Sequence, residues 1–490
     1  MNAKDPQAII DRIFSYAVFK ELDKAALAAR FDVTDAICDI NSAIRLQQGQ
    51  SPQTGNVISK IPAQGILISS PGTYTFAADI TWCPASVACA AITIVSDDVV
   101  LDLGSFNLKA TVQDNSQLIT GIFVVNASHV TIRNGTLVDM CLHGICAESV
   151  SALIIENVTV TGLRFNNLSI RNICPAGIHI DKASQVTIAD CAVQSMYVTS
   201  DAAAGIQILN TLNGTVSGCR VNDLVNYDGS VMGYGYIMSL GIATSNCSSA
   251  NFQSHFSSNI QAIGHSVLGF VSILCISLTY ENCAATNMTG CCDDCHGMAV
   301  FLGAMVKVDN FTANTVTDGV AQSNSGAKAT GLEVYGAEVV ISNCSVENIK
   351  AINPQDKQGT GFSAWGMDIT FINCRADNVV VCDENGNQNP ALGYGTGFGW
   401  APDPRTPFRN IGAYRVQYRA CSASNCQVGF DTWCHVDSTW TDVSFTNCDT
   451  NILVEPGATR ILSGNPCSEC NPPITASVTN IARGNTYPGS

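Results

Sequence analysis

The chain has 490 residues, of which 13% are charged and 46% hydrophobic, and its formal net charge is −16. Charge this sparse and this acidic excludes a nucleic-acid partner unless a local basic stripe exists, and the sequence contains none. No apolar run approaches the ~18 residues a membrane span requires, and the length exceeds one ordinary compact core unless that core grows along a single axis, as in repeat proteins.

The first element, residues 1–49, is expected to be α-helical. Asp5-Pro6 supplies a cap and a first-turn proline, and Ile9, Ile10, Ile13, Phe14 and Ala17 recur at helical spacing. A second helical stretch follows near 34–46 and stops before Gly49. This segment is expected to cap the repeat that follows or to assemble chains, a trimer being the expected assembly. The opening residues Met1 to Pro6 lack the charged region and apolar stretch of a secretory signal. The expected location is therefore the cytoplasm, a virion, or the exterior by a non-classical route. Residues 50–56 read as a linker.

Residues 57–455 carry an internal repeat. A glycine followed by a large apolar residue recurs at Gly121-Ile122, Gly144-Ile145, Gly177-Ile178, Gly205-Ile206, Gly241-Ile242, Gly269-Phe270, Gly297-Met298, Gly331-Leu332, Gly361-Phe362, Gly397-Phe398 and Gly429-Phe430. Thirteen residues after the glycine stand Asn134, Asn157, Asp190, Gly218, Ser254, Asn282 and Asn310; twelve after it stand Asn343 and Asn373. Between these marks the pattern alternates with period two, as in Ile178, His179, Ile180, Asp181, which means short strands. Three short strands with no room for a crossover helix wind into coils of an all-β parallel β-helix, a solenoid of about 11 or more coils at ~4.8 Å per coil. Asparagines at one bend of successive coils then stack and bond along the axis. The Asn-x-Ser/Thr matches at Asn134, Asn157, Asn310 and Asn343 are by-products of that bend. Insertions fall just before each new glycine, at 226–240, 317–330, 353–360 and 383–396, along one edge of the scaffold. The tail, 456–490, contains Pro466, Pro472, Pro473 and Pro488 and is expected to close the far end irregularly.

Cys191, Cys219, Cys283, Cys344, Cys374 and Cys448 each follow the bend residue, where the third strand turns an apolar side chain inward. They are expected to be buried thiols acting as small hydrophobes. An odd total of 23 cysteines with no signal points to a reducing compartment. The pairs Cys292/Cys295 and Cys467/Cys470 have zinc-like local spacing but lie far apart without partners, so no metal and no cofactor are expected.

This repeat, together with the opening stretch Ser96-Asp97-Asp98-Val99-Val100-Leu101-Asp102-Leu103-Gly104, resembles the right-handed parallel β-helix superfamily, the pectin-lyase-like fold. The resemblance covers roughly residues 57–455 and implies right-handed coils. It identifies a fold shared by polysaccharide lyases, glycoside hydrolases, epimerases, phage tailspikes and adhesins. A shorter element, Asp293-Asp294-Cys295, is similar to the Asp-Asp-Cys element of polygalacturonases and implies paired aspartates. That family's Asn-Thr-Asp, Gly-His-Gly and Arg-x-Lys elements are missing from their places.

If the residues one and three after each glycine point inward, those two and four after it point outward. Glu148 and Asp181 then sit at equivalent places on adjacent coils with His179 beside them, and stacking sets the carboxylates roughly 5 Å apart, as in retaining glycosidases. One raised pKa would make an acid/base pair; two solvated surface carboxylates are the alternative. Phe301, Tyr335, Trp365 and Trp433 form an aromatic stripe with Glu333 and Asp431 alongside, suited to sugar faces and hydroxyls, unless long loops fold over the rings. The candidate catalytic set is Glu148, Asp181, His179, Asp293 and Asp294, and the candidate substrate-binding set is Phe301, Glu333, Tyr335, Trp365, Asp431 and Trp433. The expected function is a carbohydrate-interacting protein that binds an extended polysaccharide or glycan surface along this face. If it is an enzyme, it is a polysaccharide lyase or a glycoside hydrolase. The alternative is a non-catalytic structural or surface protein such as a virion fibre, tailspike-like stalk or adhesin.

Overall fold

A computed structural model describes residues 51–463 apart from 53–55, 113, 167–173, 201, 228–237, 246–250, 254–255, 264–265, 291–293, 320–327, 353–357, 390–391, 400–412, 432–434, 437 and 454–461. The expected helical segment 1–49 and most of the tail 456–490 lie outside the described residues. At the margins, Ser51–Pro52, placed in the expected linker, is a strand paired in parallel with Ile66 and Leu67. Leu462–Ser463, placed in the tail, pairs in parallel with Thr439 and Trp440.

The described residues are all-β and fall into two compact units, one ending at 263 and the other beginning at 266. Each is a stack of coils whose strands pair in parallel with their equivalents one coil away. In the first unit the glycine-bearing strands run Leu118–Val125, His143–Glu148, Ala176–Asp181, Ala202–Leu209 and Met238–Ser245. In the second they run Asp294–Ala304, Lys328–Ser342, Gln358–Ile372 and Tyr394–Gly399. Among the described residues no helix is long and apolar enough to cross a membrane.

The glycine repeat has a steric cause. A Cβ added at Gly144 would sit 2.6 Å from the carbonyl oxygen of Gly177, one at Gly297 2.6 Å from that of Gly331, and one at Gly331 2.7 Å from that of Gly361. Each glycine therefore backs onto the next, and the column tolerates no side chain. The glycine is also skipped in the register: His143 pairs with Ala176 and Ile145 with Ile178, with no pairing between them. The alternation of faces resets at that point.

The bend residues have an equally local cause. Asn134, Asn157, Asp190, Asn282, Asn310, Asn343 and Asn373 all have φ between 51° and 57°. That left-handed region is one that asparagine, aspartate and glycine enter with least penalty. The side chains then bond along the stack: Asn157 Nδ2 donates to Asn134 Oδ1 at 3.1 Å, Asn310 to Asn282 at 2.7 Å, and Asn373 to Asn343 at 2.9 Å. One residue further on, the cysteine thiol donates to the carbonyl two residues back, as in Cys191 to Ala189 O at 3.2 Å and Cys344 to Ser342 O at 3.1 Å. A thiol thus fills an apolar slot and serves a carbonyl that the bend exposes, which valine cannot do. Cys191, Cys219, Cys283, Cys344 and Cys374 are buried, and Cys448 is half-buried.

The interior is a set of columns. Ile122, Ile145, Ile178 and Ile206 follow one another in the first unit, all at 0% exposure. In the second unit the equivalent positions run Phe270, Met298, Leu332, Phe362, Phe398 and Phe430, of which the last three stack at 4.8 and 4.6 Å between centroids. Each such side chain contributes about 1.5–3 kcal/mol by leaving water.

Candidate functional site

The reset at the glycine sets which side chains meet. A residue just before the glycine of one coil shares a face with the residue two after the glycine of the next, giving a diagonal slot that recurs along each stack. In the first unit the slot holds His143 and His179, whose rings stack at 5.0 Å and 13°. The Ala176 N–H donates to His143 Nδ1 at 3.2 Å, and His179 Nδ1 lies 2.9 Å from Gln207 Oε1. Burial and the neighbouring His179 hold His143 well below the ordinary imidazole range, and the Ala176 N–H donated to its Nδ1 favours the same neutral form. Burial also lowers His179, against the opposing pull of Asp181 and Gln207. Both rings are therefore neutral bases near pH 7.

Two residues further along, Glu148 pairs in register with Asp181. Lys182 Nζ lies 3.9 Å from Glu148 Oε1 and 3.5 Å from Asp181 Oδ2, and Asn210 Nδ2 donates to Asp181 Oδ1 at 2.8 Å. The adjacency expected from the repeat is present, but the setting is not a solvated surface: Glu148 and Asp181 are only 4% and 2% exposed. The ammonium between them offsets the repulsion of two carboxylates one strand spacing apart.

In the second unit the same diagonal slot holds His296 and Glu333, with His296 Nδ1 3.2 Å from Glu333 Oε2. Lys328 Nζ donates to Glu333 Oε1 at 2.7 Å, and the Lys328 backbone N–H donates to Asp318 Oδ2 at 2.8 Å. Beside this ionic cluster runs the aromatic row. Phe301 meets Tyr335 at 5.5 Å, Tyr335 stacks on Trp365 at 4.6 Å and 23°, and Trp365 Nε1 donates to Ser363 Oγ at 3.2 Å. Of the two arrangements expected for this row, rings open to sugar or rings covered and buried, its described members fit the second: Tyr335 and Trp365 are 2% and 0% exposed and spend their faces on each other, and Phe301 is half-buried. Asp431 is buried and, three coils from Glu333, stands about 14 Å away along the stack. Burial first, then Cys421 and Asp431, lifts the Tyr418 phenol well above its usual value. Asp294 opens its strand opposite Lys328. Asp293 and Trp433 lie outside the described residues. Among the described residues no group of acidic, histidine and cysteine side chains could hold a metal ion.

One open depression lies in the first unit. A groove of about 360 Å³ is lined by Asn115, Arg164, Phe165, Asn166, Tyr197 and Thr199. Arg164 to Asn166 pair in register with Tyr197 to Thr199, and the Asn166 N–H donates to Asn115 O at 2.9 Å. The Arg164 guanidinium carbon lies 5.9 Å from the Tyr197 ring centroid, and Tyr197 is 40% exposed. The groove thus combines a partly free aromatic face with two amides, a hydroxyl and a guanidinium, and among the described residues no carboxylate lines it.

Residues 120–329 match the family model described as "Right handed beta helix region". The described residues form a parallel β-helix, and the matched stretch is similar to right-handed ones. No curated protein sequence matches it. Among solved structures, the catalytic domain of a GH87 α-1,3-glucanase in complex with nigerose is 13% identical over 82% of this chain, with a TM-score of 0.35. The chain spans 65% of that domain, less than two thirds of its length. The A-module of the mannuronan C-5 epimerase of Azotobacter vinelandii is 10% identical over 88% of this chain and 95% of its own, with a TM-score of 0.31. The Dettilon tailspike protein is 11% identical over 80% of this chain and 60% of its own, with a TM-score of 0.36. None of these values supports a statement about activity.

Four features of the β-helix escape the outward-position rule. His143, His296 and Lys328 were not among the expected site residues because they precede the glycine, and the rule counted only from the glycine forward. The reset in register is the signal that would have found them. The groove escapes for a different reason: Arg164 and Tyr197 lie beyond the second bend, where no repeat mark fixes which side chains face each other.

Proposed function

We propose that this β-helix binds an extended polysaccharide, and that the groove beside Tyr197 and Arg164 holds part of it. The observation that carries this reading is the composition of the groove: an aromatic ring 40% exposed, with the side chains of Asn115, Asn166, Thr199 and Arg164 around it. A ring face suits the C–H face of a sugar, while amides, hydroxyls and a guanidinium suit its hydroxyl oxygens. The aromatic and acidic row of the second unit is a weaker place for a sugar, because its rings are stacked on one another and buried. Binding is also better supported than cleavage. Glu148 and Asp181 have the register of a carboxylate pair, but Lys182 and Asn210 already engage them, and neither is open to a substrate.

The test is a glycan array followed by calorimetry with the polysaccharides that score. Tyr197→Ala and Arg164→Ala should each weaken binding about tenfold, or ~1.4 kcal/mol, while leaving the melting temperature within a few degrees. Binding equally strong in both variants would remove the groove from the reading. No glycan bound at all, with a trimeric mass by light scattering, would favour a structural stalk instead.

A further inference from the structure

Most cysteines of this β-helix are sealed inside it, but one stacked pair in the second unit is not. Cys426 and Cys448 follow the bend residues Asn425 and Asn447, both at φ 53°. The Asn447 amide donates to Asn425 Oδ1 at 3.3 Å. The backbone ladder continues across both cysteines, with Asn425 N–H donating to Thr446 O at 2.9 Å and Asp449 N–H to Cys426 O at 3.3 Å. The two residues therefore occupy the same place on successive coils. A strand spacing of ~4.8 Å lies within the ~4.4–6.8 Å Cα separation that a disulfide accepts. The Cys426 thiol donates to Ser424 O at 3.2 Å, and the Cys448 thiol points back at Ala423 O at 3.6 Å. Cys426 is 3% exposed, whereas Cys448 is half-buried and reachable from solvent. The bond from Cys426 outweighs burial and holds the Cys448 thiol down to about 7. The stacked thiols Cys191, Cys219, Cys344 and Cys374 are at most 1% exposed; the neighbour Cys219 and then burial push Cys191 upward, as Cys448 and then burial push Cys426.

We propose that Cys426 and Cys448 are a thiol modification site that closes to an intercoil disulfide by exchange with a small disulfide of the glutathione class. The Cys448 thiolate attacks one sulfur of the small disulfide, forming a mixed disulfide and expelling one small thiolate. Cys426 then attacks the Cys448 sulfur and passes its proton to the second small thiolate as that thiolate leaves. Two protein thiols are oxidised by two electrons, and one small disulfide is reduced to two thiols. The new bond closes a loop of about 22 residues and ties one coil to the next. A half-exposed, low-pKa thiol next to a resolving thiol is the arrangement that makes such exchange site-selective.

The full chain is incubated with oxidised glutathione, quenched by alkylation and mapped by peptide mass spectrometry. A cross-linked peptide joining Cys426 to Cys448 is expected. Cys83, an exposed thiol, should retain a glutathione adduct and serves as the control. In Cys426→Ala the adduct should persist at Cys448, and in Cys448→Ser the modification of Cys426 should slow about 100-fold. The proposal is overturned if wild-type Cys448 keeps its glutathione adduct, joins a different cysteine, or remains a thiol after Cys83 has fully reacted.

Discussion

The two units use one backbone plan with different side chains, and the difference separates what the plan dictates from what it leaves free. Where the coil interior requires only a large apolar group after the glycine, the first unit uses isoleucine and the second phenylalanine, methionine and leucine. The diagonal slot around the glycine shows the same freedom on the outer face. In the first unit it holds two stacked imidazoles, His143 and His179, that burial keeps neutral. In the second it holds an imidazole against a carboxylate, His296 and Glu333, with Lys328 closing the cluster. The glycine column and the left-handed bends are common to both, because they answer to backbone contacts alone. The side chains around them vary because the backbone does not choose them.

The comparison can be broken in graded steps. The largest effect is expected from Ile180→Asp, which places an unpaired charge in a position at 0% exposure; it should abolish soluble expression, and a soluble protein with native circular dichroism would refute the column. Next, Phe398→Ala removes a ring stacked on Phe362 and Phe430 and should cost about 3–5 kcal/mol. Hydrogen exchange should report the loss within residues 266–463. The matching change in the aliphatic column, Ile178→Val, should cost only about 0.5–1.5 kcal/mol.

A third test uses pH. The unfolded chain protonates its histidines near 6.5, whereas the buried His143 and His179 resist protonation below that value. The unfolded state thus binds more protons below pH 6.5, and the first unit should lose up to about 1.4 kcal/mol per imidazole for each pH unit of acidification. Above that pH both states are neutral at these sites and the contribution is constant. Denaturant midpoints measured from pH 7.5 to 5 should show the slope in wild type and a shallower one in a His143→Gln, His179→Gln double variant. The smallest effect is expected from Asn373→Ala, which loses the 2.9 Å bond to Asn343 and strains a left-handed bend. It should cost about 1 kcal/mol and be visible as a modest shift in the denaturant midpoint.

The parts of this molecule that were legible in its sequence are those set by its own backbone. Gly144, Gly177 and Gly331 mark the coil because a carbonyl blocks any side chain there, and Asn157 and Asn310 mark the bend because their backbone is left-handed. That regularity was enough to place Glu148 opposite Asp181. It was not enough to say whether they meet solvent, since burial depends on chain that the repeat does not order. Trp365 shows the same limit: its row was readable, but its stacking on Tyr335 and its bond to Ser363 were not. The groove at Tyr197 lay beyond any repeat mark.

The parallel ladders also give each unit a mechanical grain. Hydrogen bonds between coils point along the direction of stacking, so a pull in that direction opens them one row at a time, like a zip. A pull along the strands instead loads a whole row in shear. Tethered through residues on neighbouring coils, a unit should therefore yield at much lower force in the first geometry than in the second.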